Sequence, residues 1–277
     1  QVFNDALNQA AYRGPDHQHV SINNGITWGF NRLSIMDLSS KGNQPFVYKD
    51  CVLVCNGEVY NYHSLKAMLE TDYTFKSGSD CEVLIPLYHK YGIEILCKFL
   101  DAEFAMVIYD AKKDKILAAR DPMGIRPMFY GYHKEDGKIC FASEAKGLFP
   151  LCQEIMPFPP GHYYEDGKFI CYNDLSNPKT INNDDLETIA INLRLKLEKA
   201  VEKRLQSDAP IGYLLSGGLD SSLVCAIAAR LNDQPIKTFA IGMDTDPIDL
   251  KYAKQVADYL GTDHTEVIMT KEDLLEN

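Results

Sequence analysis

The residues whose types and spacing point most clearly to a chemical function are 216–222, which read SGGLDSS. An apolar run at 211–215 precedes them and a run with helical spacing at 223–231 follows, so we predict a buried strand, a glycine turn and a helix. The two glycines let a ligand approach the backbone closely, and Ser221 or Ser222 could cap the helix. Because first-turn amides and the helix dipole favour anions, the stretch predicts a phosphate site. The alternative is an ordinary tight turn.

The acidic residue in this stretch separates it from the Walker phosphate loop. That loop has a lysine after its last glycine, whereas Leu219 and Asp220 stand there in this chain. An aspartate beside phosphates is favourable if it helps to hold a magnesium ion, because hard cations prefer oxygen ligands. We therefore predict that Asp220 binds Mg²⁺ through a bound pyrophosphate. The alternative is that Asp220 only caps the helix.

The same stretch resembles the pyrophosphate loop of the ATP-pyrophosphatase family, whose enzymes adenylate a substrate and release pyrophosphate. Its longer form, LLSGGLDSS at residues 214–222, looks like the asparagine synthetase family. Ile241 ends a later strand-like run, where it could flank a nucleotide base. The predicted contacts of ATP or pyrophosphate are Leu214, Leu215, Ser216, Gly217, Gly218, Asp220, Ser221, Ser222 and Ile241.

Five stretches in the first part of the chain resemble the N-terminal-nucleophile glutamine amidotransferases. The stretch at 120–127 recurs among such enzymes, including the amidophosphoribosyltransferases. The stretch at 56–61 has the form found in the asparagine synthetase family. Together with the phosphate stretch, the resemblance covers nearly the whole chain in the right order. The five are residues 13–16 (RGPD), 31–35 (NRLSI), 56–61 (NGEVYN), 77–82 (SGSDCE) and 120–127 (RDPMGIRP).

A glutaminase must bind an α-carboxylate, an α-ammonium and a side-chain amide at the same time. Arg32 can hold the carboxylate as a bidentate fork, and Asp80 with the region of Glu58 can attract the ammonium. Asn56 and the amide of Gly57 can form an oxyanion hole, which is the catalytic role we predict for them. The predicted glutamine contacts are Arg32, Leu33, Ser34, Ile35, Met36, Asn56, Gly57, Glu58 and Asp80.

Each of these residues also has a purely structural alternative. An arginine near a strand is often part of a surface ion pair. Asp80 could cap the helix that follows it, alone or in addition to binding the ammonium. Asn56 and Gly57 could form only a hairpin turn.

The nucleophile of that family is a cysteine at the very N terminus, whose free amine acts as the base. Gln1 is not that residue, and we expect the sequence to be a fragment cut at both ends, with neither glutaminase nor synthetase turnover by itself. Cys81 is not a convincing substitute, because it lies beside an acid and has no activating base or positive field in view. We expect Cys81, Cys51 and Cys55 to be packed thiols.

Composition limits the class of protein and its partners. The 277 residues are 45% apolar and 24% charged, which is typical of a globular chain of two domains or one large one. The net charge of −11 and the lack of a basic cluster argue against a nucleic-acid partner. No apolar run reaches ~18 residues, so we expect no membrane span. The scattered cysteines and the lack of a visible secretory leader favour a cytoplasmic protein, with a homodimer left open.

The order of elements predicts two fold classes in one chain. Residues 1–174 have mostly alternating strand-like runs, hairpin turns at 136–137 and 166–167, and helices at 63–70 and 80–91, an α+β layout. The resemblance makes this an N-terminal-nucleophile sandwich of antiparallel sheets with helices. Residues 175–185 have linker composition. Residues 186–277 begin with a long helix and then alternate strand and helix, which predicts an incomplete α/β domain with a doubly wound parallel sheet of the ATP-pyrophosphatase type.

The resemblance implies a glutamine-hydrolysing asparagine synthetase function. The first domain would free ammonia from glutamine, and the second would use Mg-ATP to activate aspartate as β-aspartyl-AMP, releasing pyrophosphate. One alternative is a β-lactam-synthetase-like ATP enzyme without glutaminase activity. Another is a non-catalytic protein derived from a synthetase.

Overall fold

A computed structural model describes residues 1–178, 180–245 and 248–276 of the chain. It divides into two compact units, Gln1–Ile181 and Asn182–Asn277, here called unit 1 and unit 2. The division falls inside the predicted linker. Lys179 of that linker and Asp246, Pro247 and Asn277 of the predicted second domain lie outside the described residues.

Unit 1 is built on a six-stranded antiparallel sheet among its described residues, in the order β11-β10-β6-β5-β4-β3. Smaller antiparallel sheets join β1 to β2 and order three further strands as β8-β7-β9. These elements confirm the α+β class predicted for this part of the chain. The strands are β1 His17–Asn23, β2 Ile26–Arg32, β3 Phe46–Tyr48, β4 Cys51–Val59, β5 Ala102–Asp110, β6 Lys115–Arg120, β7 Phe129–His133, β8 Ile139–Ala142, β9 Cys152–Pro157, β10 His162–Glu165 and β11 Lys168–Cys171.

The alternation of side chains along β5 gives unit 1 its layers. Phe104, Met106 and Ile108 face one side and pack with the helices, while Ala105 and Val107 face the other side and pack with the smaller sheets. The helices are α1 Val2–Asn8, α2 Tyr62–Leu69 and α3 Leu84–Phe99. The six-stranded sheet is therefore covered by helices on one face and by strands on the other.

Two details of unit 1 differ from the sequence prediction. The helix predicted over 80–91 is a short 3₁₀ helix, Asp80–Val83, followed by α3. The predicted end at residue 91 coincides with a kink in α3, where Gly92 leaves the helical conformation with a φ of 78° before the helix resumes. Strands β1, β3 and β9 were not predicted. Most side chains of β1 and β9 are exposed, so the sequence has no alternation of apolar and polar residues that would reveal a strand. These strands form because they pair with a neighbouring strand.

Unit 2 contains a parallel sheet in the order β12-β13-β14, which confirms the predicted α/β alternation. Its strands are β12 Gly212–Leu214, β13 Lys237–Met243 and β14 Asp263–Met269, and its helices are α4 Leu186–Lys203, α5 Leu219–Leu231, α6 Ile248–Leu260 and α7 Lys271–Glu276. Gly261 ends α6 with a φ of 67°, and the Thr262 amide donates to the Ala257 carbonyl, as in a Schellman motif.

The apolar face of α4, the long helix predicted at the start of the second domain, is mostly exposed. Only Val201 of this face is buried, whereas Leu186 is 83% and Leu193 is 63% exposed. The face consists of the apolar residues at helical spacing, which are Leu186, Ile189, Ala190, Leu193, Leu197, Ala200 and Val201. Burial of an amphipathic face needs a second surface to cover it. In the described part of unit 2 the last turns of α4 meet α5, where Glu198 also pairs with Arg230 at 2.6 Å.

Among the residues that the structure describes, no helix combines the length and the apolar character needed to cross a membrane.

Glycine is required at one position of unit 2 by space as well as by backbone conformation. A Cβ on Gly217, whose φ is 76°, would lie 2.5 Å from the carbonyl carbon of Tyr252 and 2.7 Å from the amide nitrogen of Ala253. Gly261 has a similar φ of 67°, but a Cβ there would meet nothing within 4 Å. Comparing substitutions at the two glycines therefore separates the free-energy cost of the left-handed backbone from that of a steric clash.

We predict that Gly217→Ala destabilises the chain more than Gly261→Ala does. The second change should cost only the ~1–2 kcal/mol of a left-handed non-glycine residue, whereas the first must also displace the backbone of α6. Urea unfolding of both variants gives the two free energies. Equal losses would show that the contact with α6 does not constrain Gly217.

Candidate functional site

The end of β4 presents polar groups on a face that is apolar elsewhere. Asn56 and Glu58 are half-buried and lie on the same side of the strand as Val52 and Val54, while Cys55 and Val59 point into the helical core. We call the group formed by Arg32, Asn56, Gly57, Glu58 and Asp80 the β4 site. The structure thus places Asn56 inside a paired strand, and the alternative of an Asn-Gly hairpin turn is wrong.

A side chain that precedes β3 in the sequence pairs with the outer edge of β4. The amide of Gln44 accepts the N–H of Cys55 at 2.6 Å and donates to its carbonyl at 2.9 Å. Because N–H directions alternate along an antiparallel strand, the Gly57 N–H points to this same outer edge. Sequence reasoning missed Gln44, since a side chain that replaces a strand has no periodic signal.

Gly57 is fixed by the approach of β5. A Cβ at this position would lie 2.5 Å from the carbonyl oxygen of Glu103 and 2.9 Å from the Cβ of Phe104. No side chain fits there without moving one of the two central strands. The backbone amide that we predict for the oxyanion hole therefore sits in one of the most constrained parts of the sheet.

Asp80 joins the start of its 3₁₀ helix to the end of β4. Its Oδ2 accepts the Val59 N–H at 2.6 Å, and the residue is 4% exposed. The N-cap residue of the 3₁₀ helix is Ser79, so the alternative that Asp80 occupies the capping position is wrong by one residue. Asp80 therefore lies at the same strand edge as the Gly57 amide.

Cys81 is a packed thiol, as predicted. Its Sγ donates to the Gly57 carbonyl at 3.4 Å, and the residue is buried, as are Cys51 and Cys55. Contact with the Cys55 thiol, burial and the neighbouring charge of Asp80 raise the pKa of Cys81 well above its ordinary value. A thiol in this environment is a poor nucleophile.

Three acidic residues, Glu58, Asp80 and Glu103, lie close together in and beside the β4 site. Glu58 lies directly opposite Glu103 in the β4–β5 register, and Arg126 donates to Glu103 at 2.8 Å. Burial, and then the charge of Asp80, raises the pKa of Glu58 to about 8, and burial also raises the pKa of Asp80. The site therefore holds more acidic groups than Arg126 can neutralise, which is an environment that favours an added cation.

The RDPMGIRP stretch forms the turn that delivers Arg126. Asp121 is 1% exposed, and Arg120 donates to the carbonyls of Gly124, Arg126 and Phe158 at 2.7–2.9 Å. The role of this turn could not be assigned from the sequence, because its contacts are mostly with backbone atoms. The amides that donate to the Asp121 carboxylate are those of Phe104, Met123, Ile125 and Arg126.

Arg32 is buried and its terminal nitrogens already have acceptors. Nη1 donates to the Ser39 carbonyl and to Asn43 Oδ1, both at 2.7 Å, and Nη2 donates to the carbonyls of Met36, at 3.2 Å, and Asp37. The alternative of a surface ion pair is therefore wrong. A bidentate fork toward a substrate carboxylate would require the guanidinium to exchange two of these bonds.

The residues after Arg32 begin the loop that its guanidinium holds. Leu33 is exposed, and Ile35 and Met36 are partly buried. The Ser34 amide donates to Asp16 Oδ2 at 2.7 Å, which connects the RGPD and NRLSI stretches.

The phosphate stretch connects β12 to α5, as predicted, but β12 is mostly exposed rather than buried, and the cap also differs. Gly218 occupies the N-cap position, so Ser221 and Ser222 lie in the first turn of α5 and neither caps it. The hydroxyl of Ser221 lies 3.0 Å from that of Ser216. The hydroxyl of Ser222 is buried and, within the described residues, has no hydrogen-bond partner.

This geometry fits an anion at the start of α5. A phosphate cradle is characterised by first-turn amides, an available hydroxyl and a backbone that no side chain covers. Ser222 supplies such a hydroxyl, and the exposed Gly218 leaves the backbone uncovered. Leu215, just before the turn, is buried, and its amide donates to the Phe239 carbonyl at 2.8 Å. Leu214 and Ile241 are exposed, on neighbouring parallel strands.

Asp220 lies in the first turn of α5 with an exposed side chain. Since Gly218 is the N-cap residue, the alternative that Asp220 caps the helix is wrong. The described residues give its carboxylate no hydrogen-bond donor. Its oxygens are therefore available to a hard cation that shares phosphate ligands.

Comparison with known families places the first part of the chain. The family model described as a glutamine amidotransferase domain matches residues 1–162, and the model described as asparagine synthase matches residues 192–277. The chain belongs to the glutamine amidotransferase domain family. The two matches correspond to the two parts in which the sequence resemblance was found.

Curated relatives are similar over nearly the whole chain. The chain is 38% identical to a probable glutamine-hydrolysing asparagine synthetase of Schizosaccharomyces pombe, over 97% of this chain and 52% of the relative. It is 41% identical to an asparagine synthetase of Zea mays, over 95% and 46%, and 39% identical to asparagine synthetase B of Escherichia coli, over 96% and 50%. The chain spans about half the length of the curated relatives it matches.

We predict that Glu58→Gln changes the pH dependence of stability. Because the folded pKa of Glu58 is raised from 4.5 to about 8, the unfolded chain releases this proton between those pH values while the folded chain keeps it. The wild-type stability contributed by Glu58 is therefore present below pH 4.5 and lost as the pH rises through 8.

Glutamine at position 58 removes this titration, so the variant should gain stability relative to the wild type on going from pH 5 to pH 8.5. Urea unfolding of both proteins at the two pH values measures the difference. The same stability difference at both values would show that Glu58 is not protonated in the folded amidotransferase unit at neutral pH.

Proposed function

We propose that this chain forms the glutaminase part and the beginning of the synthetase part of a glutamine-dependent asparagine synthetase. The observation that carries the proposal is the presence, in one chain, of an acid-rich site at the end of β4 and a phosphate cradle with an orphaned hydroxyl at Ser222. The relatives are named glutamine-hydrolysing asparagine synthetases, which supports asparagine formation with glutamine as the nitrogen source.

In the proposed glutaminase site, charge selects the substrate. The carboxyl groups of Glu58 and Asp80 receive the α-ammonium of glutamine, which supplies the cation that this acidic group lacks. Arg32 exchanges loop carbonyls for the α-carboxylate, and the run from Leu33 to Met36 lines the same end of the substrate. We do not assign the nucleophile to Cys81, because its thiol is packed against Gly57 and Cys55.

Asn56 and the Gly57 amide stabilise charge in the proposed reaction. When a nucleophile adds to the glutamine side-chain amide, its oxygen becomes an anion and needs two donors already in place. The Asn56 side-chain amide and the Gly57 N–H are such donors, and β5 prevents the Gly57 backbone from moving. Preorganisation of this kind lowers the energy of the charged intermediate more than that of neutral glutamine.

In the proposed synthetase site, the chain binds the phosphates of ATP. The first-turn amides and the hydroxyls of Ser216, Ser221 and Ser222 hold the pyrophosphate portion, and Leu214 and Ile241 contact the nucleotide. Asp220 would hold Mg²⁺, which neutralises phosphate charge when bound. Aspartate is the proposed acceptor, activated as β-aspartyl-AMP and aminated by ammonia. A cytoplasmic location, a homodimer and the absence of a nucleic-acid or membrane partner belong to the same proposal.

Isothermal titration of the 277-residue chain tests the proposal. We expect glutamine and Mg-ATP each to bind, independently of one another. Binding of Mg-ATP alone would favour the β-lactam-synthetase-like alternative, and binding of neither ligand would favour a non-catalytic protein derived from a synthetase.

We predict that Asp220→Asn weakens Mg-ATP binding at least tenfold but does not weaken binding of metal-free ATP. The reason is that the carboxylate attracts the metal and repels bare phosphate. Because Asp220 accepts no hydrogen bond from the described residues, the melting temperature should stay nearly unchanged. Titrations with and without magnesium check this, with glutamine affinity as the internal control, and equal loss in both would remove Asp220 from the metal site.

A further inference from the structure

The loop that carries Asp80 is fastened by a buried carboxylate behind it. Glu82 is 2% exposed, and its Oε1 accepts the Tyr73 hydroxyl at 2.8 Å and the Lys76 amide at 2.9 Å. Its Oε2 accepts the amide and hydroxyl of Ser77 at 2.8 and 2.5 Å. A buried carboxylate is tolerated only when its oxygens are satisfied, so these four donors and Glu82 hold each other in place.

A second carboxylate ties this loop to the loop held by Arg32. Asp37 Oδ2 accepts the Gly78 amide at 2.7 Å, and its Oδ1 accepts the amide and hydroxyl of Ser39 at 3.0 and 2.6 Å. The Asp37 carbonyl is one of the acceptors of the Arg32 guanidinium. Its φ of 53° lies in the left-handed region, which aspartate and asparagine tolerate better than most residues.

These bonds form one continuous path between two distant parts of the sequence. The path runs from Arg32 through Asp37 to Gly78, and from there along a loop anchored by Glu82 to Asp80. A bound α-amino acid presents its carboxylate and its ammonium on the same carbon atom. The groups that receive them must therefore keep a fixed separation before the ligand arrives, or ordering them reduces affinity.

We infer that Asp37 and Glu82 are positioning residues for α-amino-acid recognition: they set the spacing between Arg32 and Asp80 without contacting the substrate. This inference rests on the proposed glutaminase function. It assigns a role to two carboxylates outside the predicted substrate contacts, one of them buried beneath the loop.

The chain contains a matched carboxylate that is remote from the β4 site. Asp110 is 4% exposed and accepts the Tyr88 hydroxyl at 2.8 Å, the Lys113 amide at 3.1 Å and the Lys113 ammonium at 3.0 Å. It pairs with Cys51, at the opposite end of β4 from Gly57. Asp110→Asn therefore alters a similar buried network without altering the loops of the site.

The test measures glutamine affinity by titration and amide hydrogen exchange at Ser77 and Gly78 in four proteins: the unaltered chain, Glu82→Gln, Asp37→Asn and Asp110→Asn. In Glu82→Gln an NH₂ group replaces one acceptor of the loop donors, and in Asp37→Asn the left-handed backbone is kept while one acceptor is lost. We expect both changes to weaken glutamine binding at least tenfold and to speed exchange at the two amides. Asp110→Asn should lower the melting temperature but leave glutamine affinity within twofold, and Mg-ATP affinity should be unchanged in all four.

Wild-type glutamine affinity in both Glu82→Gln and Asp37→Asn would overturn the inference, as would an equal loss in Asp110→Asn. If Glu82→Gln does not fold, Asp37→Asn decides the question, because its side chain is only partly buried. Failure of the unaltered chain to bind glutamine would instead overturn the proposed function, and this inference with it.

Discussion

The pairing of β4 with β5 is the constraint on which unit 1 depends. The two strands are in register from Cys51 with Asp110 to Val59 with Ala102, and they approach so closely that only glycine fits at position 57. Core residues on one face fix the register, because a shift by one residue would turn every side chain to the opposite face. The same register places Asn56 and Glu58 on the other face, opposite Glu103.

Buried carboxylates act as fasteners around this sheet. Asp121 accepts hydrogen bonds from amides of the turn that ends with Arg126. Glu82 accepts them from amides that precede Asp80, and Asp80 accepts one from the last amide of β4. Each replaces water with several N–H donors, which is the condition for burying a carboxylate at tolerable cost. Glu58 differs from them because its burial and the nearby charge of Asp80 raise its pKa to about 8. An acidic side chain whose pKa is raised by burial and by a neighbouring charge is a common feature of ligand sites.

The parallel sheet of unit 2 carries the turn between β12 and α5. This β12–α5 turn ends at Gly218, the N-cap residue of α5, and among the described residues the buried hydroxyl of Ser222 in the first turn has no hydrogen-bond partner. Packing of α6 against Gly217 fixes the turn from behind. The turn is therefore held by α6, and its first-turn amides are the groups that we propose bind an anion.

The sequence by itself determined the two fold classes and the order of their elements. Hydrophobic periodicity and turn chemistry are local properties, so the Asp166-Gly167 hairpin and the strand–turn–helix order at 211–231 were predicted correctly. The motif wording also pointed to the family that the comparisons then established. Local rules were less reliable where pairing or packing is decided elsewhere, as for the exposed strands β1 and β9, the exposed face of α4 and the cap of α5.

Only the tertiary structure decided how the site residues are held. The Gln44 side chain that pairs with Cys55, the Asp37 bond to Gly78 and the Glu103 contact with Arg126 join residues between 11 and 41 positions apart in the chain. Such bonds depend on which strands and loops become neighbours, and they have no period that a sequence could display. The residue types needed for chemistry can therefore be identified from the sequence, whereas their separation and their protonation depend on burial, which exists only in the folded chain.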